Sequence, residues 1–278
     1  MLRPTIVTHR RPHLDEVCAL WIIQKYWPNF EDADIVFVNT GPDGGDVWNE
    51  IPADTHPFVI YVGIGRGRFD EHKGDQHESA ASLVWTETKR LYQPRKGDSA
   101  AIDRLVDYVR REDLAQFILE DHREYSLPSI LNGLFGTQNR DSGTVYQIGR
   151  KILDAILFEL YKQISVERDW EGRVEFQTPW GPGAACVSDV PGIDRYAFRQ
   201  GFALVITHNK MKTYHGYRAN PQLPVDLTEA FMKVKQLEPT KPWFLHQSKR
   251  LLLCGGDVAD QGAYSELNLD QLIALVRQ

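Results

Sequence analysis

Residues 5–20 read TIVTHRRPHLDEVCAL, an apolar β-type run that leads through a polar loop into a helical pattern. The loop and the first helical turn carry His9, His13 and Asp15, which are two imidazoles and a carboxylate. Open α/β sheets bind their ligands where a strand ends and a helix begins. Two imidazoles with a carboxylate suit Mn, Fe, Co or Zn, whereas Mg or Ca alone prefers more oxygen ligands. The stretch therefore predicts a metal site at the carboxyl end of a strand.

A second polar cluster follows another apolar run, residues 58–63. After a glycine-containing turn come Asp70, Glu71 and His72. A single loop histidine is usually a solvated side chain, and an Asp at the start of a helix is usually a cap that complements the helix dipole. Because two strand ends now present acid and imidazole groups, one shared site is the favoured interpretation.

These segments resemble the DHH phosphoesterase superfamily, and within it the Myg-type branch of metal-dependent hydrolases, some of whose members are RNA exonucleases. The matching segments, in chain order, are Thr8-His9, His13, Asp15-Glu16, Val59–Gly63, Asp70-Glu71-His72 and Ser79–Trp85. The similarity spans most of the chain and is strongest in residues 5–90. It implies an α/β fold with a mostly parallel sheet in a DHH-like N-terminal domain and a smaller α+β C-terminal lobe.

The resemblance also implies roles for single residues. The expected metal ligands are His9, His13, Asp15, Asp70 and His72, with a further acid from the charged helix, Asp113 first and Asp107 second, while Asp103 is also available there. The expected catalytic residues are His72, Glu71 and Asp15, with His72 moving a proton. In the C-terminal lobe, His246, Gly255 and Gly256 are expected to approach a substrate phosphate. For Asp107 and Asp113, a surface ion pair with a neighbouring arginine is the alternative.

Two positions differ from the family pattern. Tyr61 stands where the family has an aspartate that usually bridges two metals, and Glu71 is the middle residue of the Asp-His-His motif. The favoured function is a metal-dependent phosphohydrolase or exonuclease-like enzyme that acts on a phosphodiester or phosphoanhydride. The alternatives are a noncatalytic protein of the same fold that binds metal or nucleotide, and a single-metal hydrolase of a non-phosphate substrate. Mn is the expected cofactor, with Co, Fe, Zn and Mg left open.

Charge limits the choice of substrate. The chain has 32 Lys and Arg against 38 Asp and Glu, a net charge of −6, so no global basic field favours nucleic acid. A local patch of Arg10, Arg11, Arg66 and Arg68 is expected beside the metal cluster, with solvated surface arginines as the alternative. The expected partner is a small phosphorylated molecule or a short single-stranded nucleic acid.

Composition and pattern give the domain organisation. The chain has 278 residues, 42% of them apolar and 25% charged, which is ordinary for a globular protein long enough for two cores. Strands and helices alternate in the first half, which favours a parallel sheet covered by helices. The predicted domains are residues 1–125 and 145–278, joined by a polar, glycine-containing linker at 126–144.

Cysteine usage and hydropathy suggest the compartment. Three cysteines without Cys-x-x-Cys spacing indicate buried thiols in a reducing environment. The sequence shows no signal-peptide pattern and no apolar run of the roughly 18 residues that a membrane span needs. We therefore expect a cytoplasmic protein that does not bind membranes, with homo-oligomerisation left open.

Overall fold

The computed structural model describes residues 3–39, 48–73, 77–117, 121–209, 211, 214–255 and 264–277. It divides into two compact units, residues 1–161 and 162–278. The elements that begin in unit 1 are β1 (Thr5–His9), α1 (Leu14–Tyr26), β2 (Asp34–Val38), β3 (Val59–Tyr61), α2 (Ala80–Tyr92), α3 (Lys96–Asp113), α4 (Leu127–Thr137) and α5 (Ser142–Glu171). The division between the units falls within α5.

The sheet of unit 1 has the strand order β2-β1-β3, and both pairings are parallel. In this register Ile6 of β1 lies between Ile35 and Ile60. The chain runs from β1 through α1 to β2 on one side and then returns to β3 on the other. The carboxyl ends of β1 and β3 therefore share one edge, and a crevice opens where the strand order reverses.

Helix α1 is the central helix of unit 1. All of its residues from Leu14 to Ile23 are buried, the acids Asp15 and Glu16 among them, so no side of the helix faces solvent over this length. Its largely apolar surface is covered by other elements all round. Its neighbours include α5, from which Asp154 accepts a hydrogen bond from Trp21 Nε1 at 3.0 Å. This enclosure fixes the first turn of α1 at the edge of the sheet.

Unit 2 is built on a mixed sheet. Its elements are β4 (Val174–Thr178), β5 (Gly181–Val187), α6 (Ile193–Arg199), β6 (Leu204–Asn209), β7 (Tyr214–Ala219), α7 (Thr228–Leu237), β8 (Phe244–Leu245), β9 (Leu251–Gly255) and α8 (Leu269–Ala274). The strand order is β4-β5-β6-β7-β9-β8. Among the neighbouring strands described in this sheet, β5 and β6 form the parallel pair and the other pairs are antiparallel. Apolar clusters cover both faces of this sheet.

The α/β alternation predicted for the first half is confirmed, and the chain is a mixed α/β protein with a parallel three-stranded sheet and a six-stranded sheet. The predicted linker at 126–144 is folded differently: it contains α4 and the start of α5. Its polar residues act as helix signals, because Ser126 accepts a hydrogen bond from the Ser129 backbone as the N-cap of α4, with proline in the first turn.

The predictions about cysteines and membrane spans can also be compared with the structure. Cys18, Cys186 and Cys254 are buried and form no disulfide, as predicted. In the part of the chain that the structure describes, every helix is too short or too polar to cross a bilayer.

Candidate metal centre

The crevice at the edge of the unit 1 sheet is a cavity of about 1060 Å³. It is bounded by the loop after β1, the first turn of α1, the loop after β3, the end of α3 and one face of α4. The predicted site residues that line it are His9, Arg10, Arg11, His13, Asp15, Glu71, His72 and Asp113. The structure thus gathers most of the predicted residues around one cavity.

Glu16 lies at the centre of this group, although the sequence analysis assigns it no role of its own. Its carboxylate is almost fully buried, with Oε1 at 3.0 Å from His9 Nε2 and Oε2 accepting the His13 backbone N–H at 2.7 Å. Gly63 makes room for it, because a Cβ at that position would lie 2.8 Å from Glu16 Oε1. Gly63 also has a φ of +66°, which glycine adopts without strain.

His9 presents a single nitrogen to Glu16. Its Nδ1 lies 2.8 Å from the Arg10 carbonyl, which can only accept, so Nδ1 carries the hydrogen. Nε2 then faces the carboxylate as a bare acceptor unless a proton or a cation lies between them. Burial lowers the pKa of His9, but the hydrogen bond and the charge of Glu16 outweigh burial, so the pKa is raised overall.

Asp15 points the other way, to the start of α2. Its two oxygens accept the backbone N–H groups of Ala80 and Ala81 at 2.7 and 2.9 Å. Burial and the neighbouring charge of Glu16 raise the pKa of Asp15 well above its usual range. The cap role weighed in the sequence is therefore real, but it serves α2 rather than α1. Because a carboxylate has about four lone-pair positions, Asp15 retains capacity toward the cavity.

Asp70 and His72 form a pair. Asp70 is buried and accepts the Arg66 and His72 backbone N–H groups as well as His72 Nδ1, the last at 2.9 Å. The His72 ring is mostly exposed and lines the cavity. Burial lowers the pKa of His72, but the hydrogen bond to Asp70 and the charge of Glu71 raise it more, so the pKa is raised overall. Asp70 therefore orients an imidazole whose other nitrogen is free to exchange protons.

Glu71 carries the clearest sign of an unmet interaction. Its Oε2 is buried and has no hydrogen-bond partner, while Oε1 lies 3.3 Å from His72 Nδ1. Burial raises the pKa of Glu71 to about 7, and the charges of Glu16 and Asp113 contribute in the same direction. An unpartnered buried carboxylate oxygen is costly unless a cation or a proton compensates it.

Three donor groups can be drawn within this cluster. They are His9 with His13 and Glu16, Asp15 with Glu16 and Glu71, and Asp70 with Glu71 and His72, and in each the ligand atoms lie within 4.8 Å of one another. Carboxylates and imidazoles are the donors that divalent transition metals take in proteins. The residues therefore fit a divalent cation.

The two acids proposed from α3, Asp113 and Asp107, lie in different surroundings. Asp113 lines the cavity, and desolvation together with the charge of Glu16 raises its pKa. Asp107 lies outside the cavity lining and makes an ion pair with Arg110 at 2.9 Å. The alternative of a surface ion pair thus applies to Asp107, because the six residues between it and Asp113 turn the two side chains about 120° apart around the helix.

The four predicted arginines also differ in whether they line the cavity. Arg10 and Arg11 line the cavity, whereas Arg66 and Arg68 lie outside its lining. Arg68 instead contacts Asp54 and Glu87 and stacks over the Phe69 ring. The predicted position at the rim is wrong for Arg68, since local acids and aromatic rings hold its side chain. The Arg66 backbone N–H donates to Asp70, and a substrate role for its side chain stays a prediction.

Arg11 is held in place before any ligand binds. Its guanidinium donates to Asn132 Oδ1 at 3.1 Å and lies 5.3 Å from the centre of the Phe135 ring, while its backbone N–H donates to Ser142. Sequence reasoning missed this α4 wall because residues 126–144 were interpreted as a linker. It also missed Arg123, which lines the cavity and is paired with Glu112 at 2.7 Å.

Tyr61 has its side chain in the apolar cluster of Val7, Val59 and Ile64. Its hydroxyl accepts the Trp48 backbone N–H and donates to the Ile51 carbonyl, both at 2.7 Å. It does not line the cavity. Tyr61 is thus a structural residue that ties the segment at 48–51 to the sheet.

The residues predicted in the C-terminal lobe do not meet within unit 2. His246 lies in the turn between β8 and β9 and bonds Ser248 through Nδ1 at 2.9 Å, and Gly255 is the last residue of β9. The His246 backbone pairs with Leu251, at the opposite end of that strand. Four residues of strand separate the two ends by roughly 13 Å. The joint phosphate contact is not formed by these two residues, and Gly256 lies outside the described residues.

Comparisons with known proteins add little to this geometry. No protein-family model matches the chain, and no curated protein does. Among solved structures, the crystal structure of exonuclease RecJ bound to manganese is similar over 91% of this chain and 86% of its own, with 13% identity and a TM-score of 0.24. A likeness at this level carries no argument about fold or activity.

Proposed function

We propose that the cavity of unit 1 binds a divalent metal, most favourably Mn, and hydrolyses a phosphodiester or phosphoanhydride bond in a small nucleotide or short oligonucleotide. The observation that carries the proposal is the group of Asp15, Glu16 and Glu71, whose oxygens lie within 4.8 Å of one another, with Glu71 Oε2 buried and unpartnered. Like charges held this close in a buried site are costly unless a cation or protons compensate them, and in this proposal a divalent cation does so.

The ligands in this proposal are Asp15, Glu16 and Glu71, with His9 at 3.0 Å from Glu16 and with His13 and Asp113 lining the same cavity. A divalent ion in such a site lowers the pKa of water and polarises a phosphoryl oxygen. His9 is prepared for ligation, because the Arg10 carbonyl holds the hydrogen on Nδ1 and leaves Nε2 for the metal.

His72 supplies the proton transfer in this proposal. The Asp70 carboxylate holds Nδ1, so the opposite nitrogen faces the cavity as acid or base. A raised pKa favours the protonated imidazole, which is the form that a general acid needs to donate to a leaving oxygen. Arg10 and the fixed guanidinium of Arg11 then offer positive charge for the substrate phosphate.

The test begins with protein purified without chelator. We expect metal analysis to find a divalent ion, and we expect bis-p-nitrophenyl phosphate or a dinucleotide to be hydrolysed when Mn is supplied. Glu71→Gln should lower the rate of hydrolysis about 100-fold or more, which is the size of effect expected when a group at the reacting centre is lost. Asp107→Asn is the matched control, because this carboxylate is paired with Arg110 outside the cavity.

The outcomes separate the competing functions. Metal binding without hydrolysis of any phosphate ester would favour the noncatalytic binding protein, and hydrolysis of a carboxylic ester or amide alone would favour the non-phosphate hydrolase. A folded protein that binds no divalent metal would refute both the metal site and the proposed activity.

A further inference from the structure

Unit 2 has a cavity of its own, of about 410 Å³, at the carboxyl ends of β5 and β6. These strands are the parallel pair of the sheet, with α6 between them in the chain, and α/β sheets bind ligands at such ends. The volume falls in the range of small-molecule sites, roughly 300–1,000 Å³. The described lining consists of residues 188–195, Thr207, Asn209, Tyr214 and Arg218, all distinct from the lining of the metal centre.

The aromatic ring of Tyr214 lies over the backbone of Gly216. A Cβ at Gly216 would lie 2.7 Å from Tyr214 Oη and 2.9 Å from Tyr214 Cε2, so the ring leans along β7 across the space that a side chain would take. The two residues share one face of the sheet, because side chains alternate along a strand. One side of the ring therefore rests on the strand, while Tyr214 lines the cavity. Aromatic rings on a sheet surface stack nucleobases in several nucleic-acid-binding folds.

Polar side chains stand opposite this ring on β6. Asn209 pairs with Tyr214 and Thr207 pairs with Gly216 in the antiparallel register, and both polar residues are buried and line the cavity. An amide offers a donor and an acceptor to the edge of a base, and asparagine makes this paired contact with adenine. An aromatic ring beside a buried amide therefore suits a purine base better than an aliphatic ligand.

The lining carries four charged side chains, two acids and two arginines, so it is neutral as a whole. Asp194 Oδ2 lies 3.7 Å from Arg218 Nε. Asp189 Oδ1 accepts the Met211 backbone N–H at 3.1 Å. Both acids therefore have partners within unit 2.

Arg195 is the remaining charge. It makes no hydrogen bond or ion pair with the part of the chain that the structure describes. A Cβ at Gly192, another lining residue, would lie 3.6 Å from Arg195 Nη2, so the guanidinium folds back over the loop that borders the cavity. A guanidinium binds phosphate through paired charge-assisted hydrogen bonds. The cavity can therefore accept one anionic group beside its aromatic ring.

We propose that this cavity binds a purine nucleoside 5′-monophosphate, with the base stacked on Tyr214, its edge at Asn209 and its phosphate at Arg195. The site lies in unit 2 and requires no metal. The inference thus goes beyond the proposed function and holds whether or not unit 1 hydrolyses a phosphate ester. A free mononucleotide and the 5′ end of a nucleic-acid chain both carry this chemistry, and the experiment distinguishes them.

Isothermal titration calorimetry in EDTA, with AMP as the probe, tests the inference without metal. We expect one AMP per wild-type chain. Adenosine and ribose 5-phosphate should each bind about 10-fold or more weakly, because each lacks one of the two recognised groups. Tyr214→Ala should weaken AMP binding about 10-fold or more, whereas Tyr214→Phe keeps the ring and should stay within about twofold of the wild type. Arg195→Ala should weaken AMP binding by a similar factor and leave adenosine binding unchanged.

Arg199→Ala is the matched control, because Arg199 lies one turn further along α6 and outside the described lining. Circular dichroism establishes that each variant is folded. No binding at millimolar AMP, or wild-type affinity in folded Tyr214→Ala or Arg195→Ala, would refute the site. The dinucleotide pApA identifies the source of the ligand: tighter binding than AMP that depends on Tyr214 assigns the site to the 5′ end of a nucleic-acid chain, and equal or weaker binding assigns it to a free mononucleotide.

Discussion

Replacing Tyr61 tests whether this position is structural or a lost metal ligand. The side chain is 2% exposed and packs in the cluster of Val7, Val59 and Ile64. Removing a buried aromatic ring costs about 3–5 kcal/mol. Tyr61→Asp also places a carboxylate among apolar groups and gives up both hydroxyl hydrogen bonds. We expect it to destabilise the protein by at least about 4 kcal/mol, which is a large part of the roughly 5–15 kcal/mol by which a typical protein is stable.

Tyr61→Phe separates the hydroxyl from the ring. It leaves the Trp48 N–H and the Ile51 carbonyl without their partner, so we expect a loss of about 1–2 kcal/mol. Urea denaturation followed by tryptophan fluorescence measures both variants. Tyr125→Phe is the control, because Tyr125 is 75% exposed and its change should stay within about 0.5 kcal/mol. If Tyr61→Asp were as stable as the wild type and bound an additional Mn, the structural role would be refuted.

Three further predictions follow from other parts of the chain. Burial and the charge of His208 lower the pKa of His215 from 6.5 to about 4, so the unfolded chain takes up this proton at a higher pH than the folded chain does. The contribution of His215 to stability should therefore be full above pH 6.5 and fall by up to about 3 kcal/mol between pH 6.5 and 4. Urea titrations at several pH values should not find this loss in His215→Gln. Gly149→Ala should destabilise by about 1–2 kcal/mol, because its Cβ would lie 2.8 Å from Val17 Cγ1, whereas Gly133→Ala, with open space, should stabilise by about 0.5–1 kcal/mol in the same assay. Mn at 100 times its Kd should stabilise the wild type by about 2.7 kcal/mol in thermal unfolding, and EDTA should reverse this gain. Glu16→Gln should lose most of the gain, and an identical shift in that variant would argue against Glu16 as a ligand.

Local pattern was enough to locate most strands and helices. Apolar runs such as residues 6–7 and 59–62 are buried in β1 and in and just after β3, as expected for strands of a parallel sheet that helices cover. The pattern failed at residues 126–144, where serine, glycine and proline were interpreted as chain breaks. There Ser126 and the following proline start α4, and the same residue types that interrupt a helix also begin one.

Long-range contacts decided which predicted residues reach the cavity. The loop positions of Arg66 and Arg68 are close to Asp70 in sequence, yet Arg68 turns to Asp54, Glu87 and an aromatic ring. His215 follows a polar stretch of the sequence, yet it is buried beside His208 on the neighbouring strand. Neither outcome is encoded in local spacing, because both depend on partners that the fold brings from elsewhere in the chain.

The position of the candidate site follows from topology, and its chemistry follows from two neighbouring acids on α1. With β1 in the middle of a parallel sheet, the loops after β1 and β3 must meet at one edge, so the two polar clusters converge. Successive residues of a helix point about 100° apart, and at this edge only one of Asp15 and Glu16 can face the cavity fully. Asp15 is turned to the N-terminal N–H groups of α2, which leaves Glu16, opposite Gly63, as the carboxylate in contact with His9.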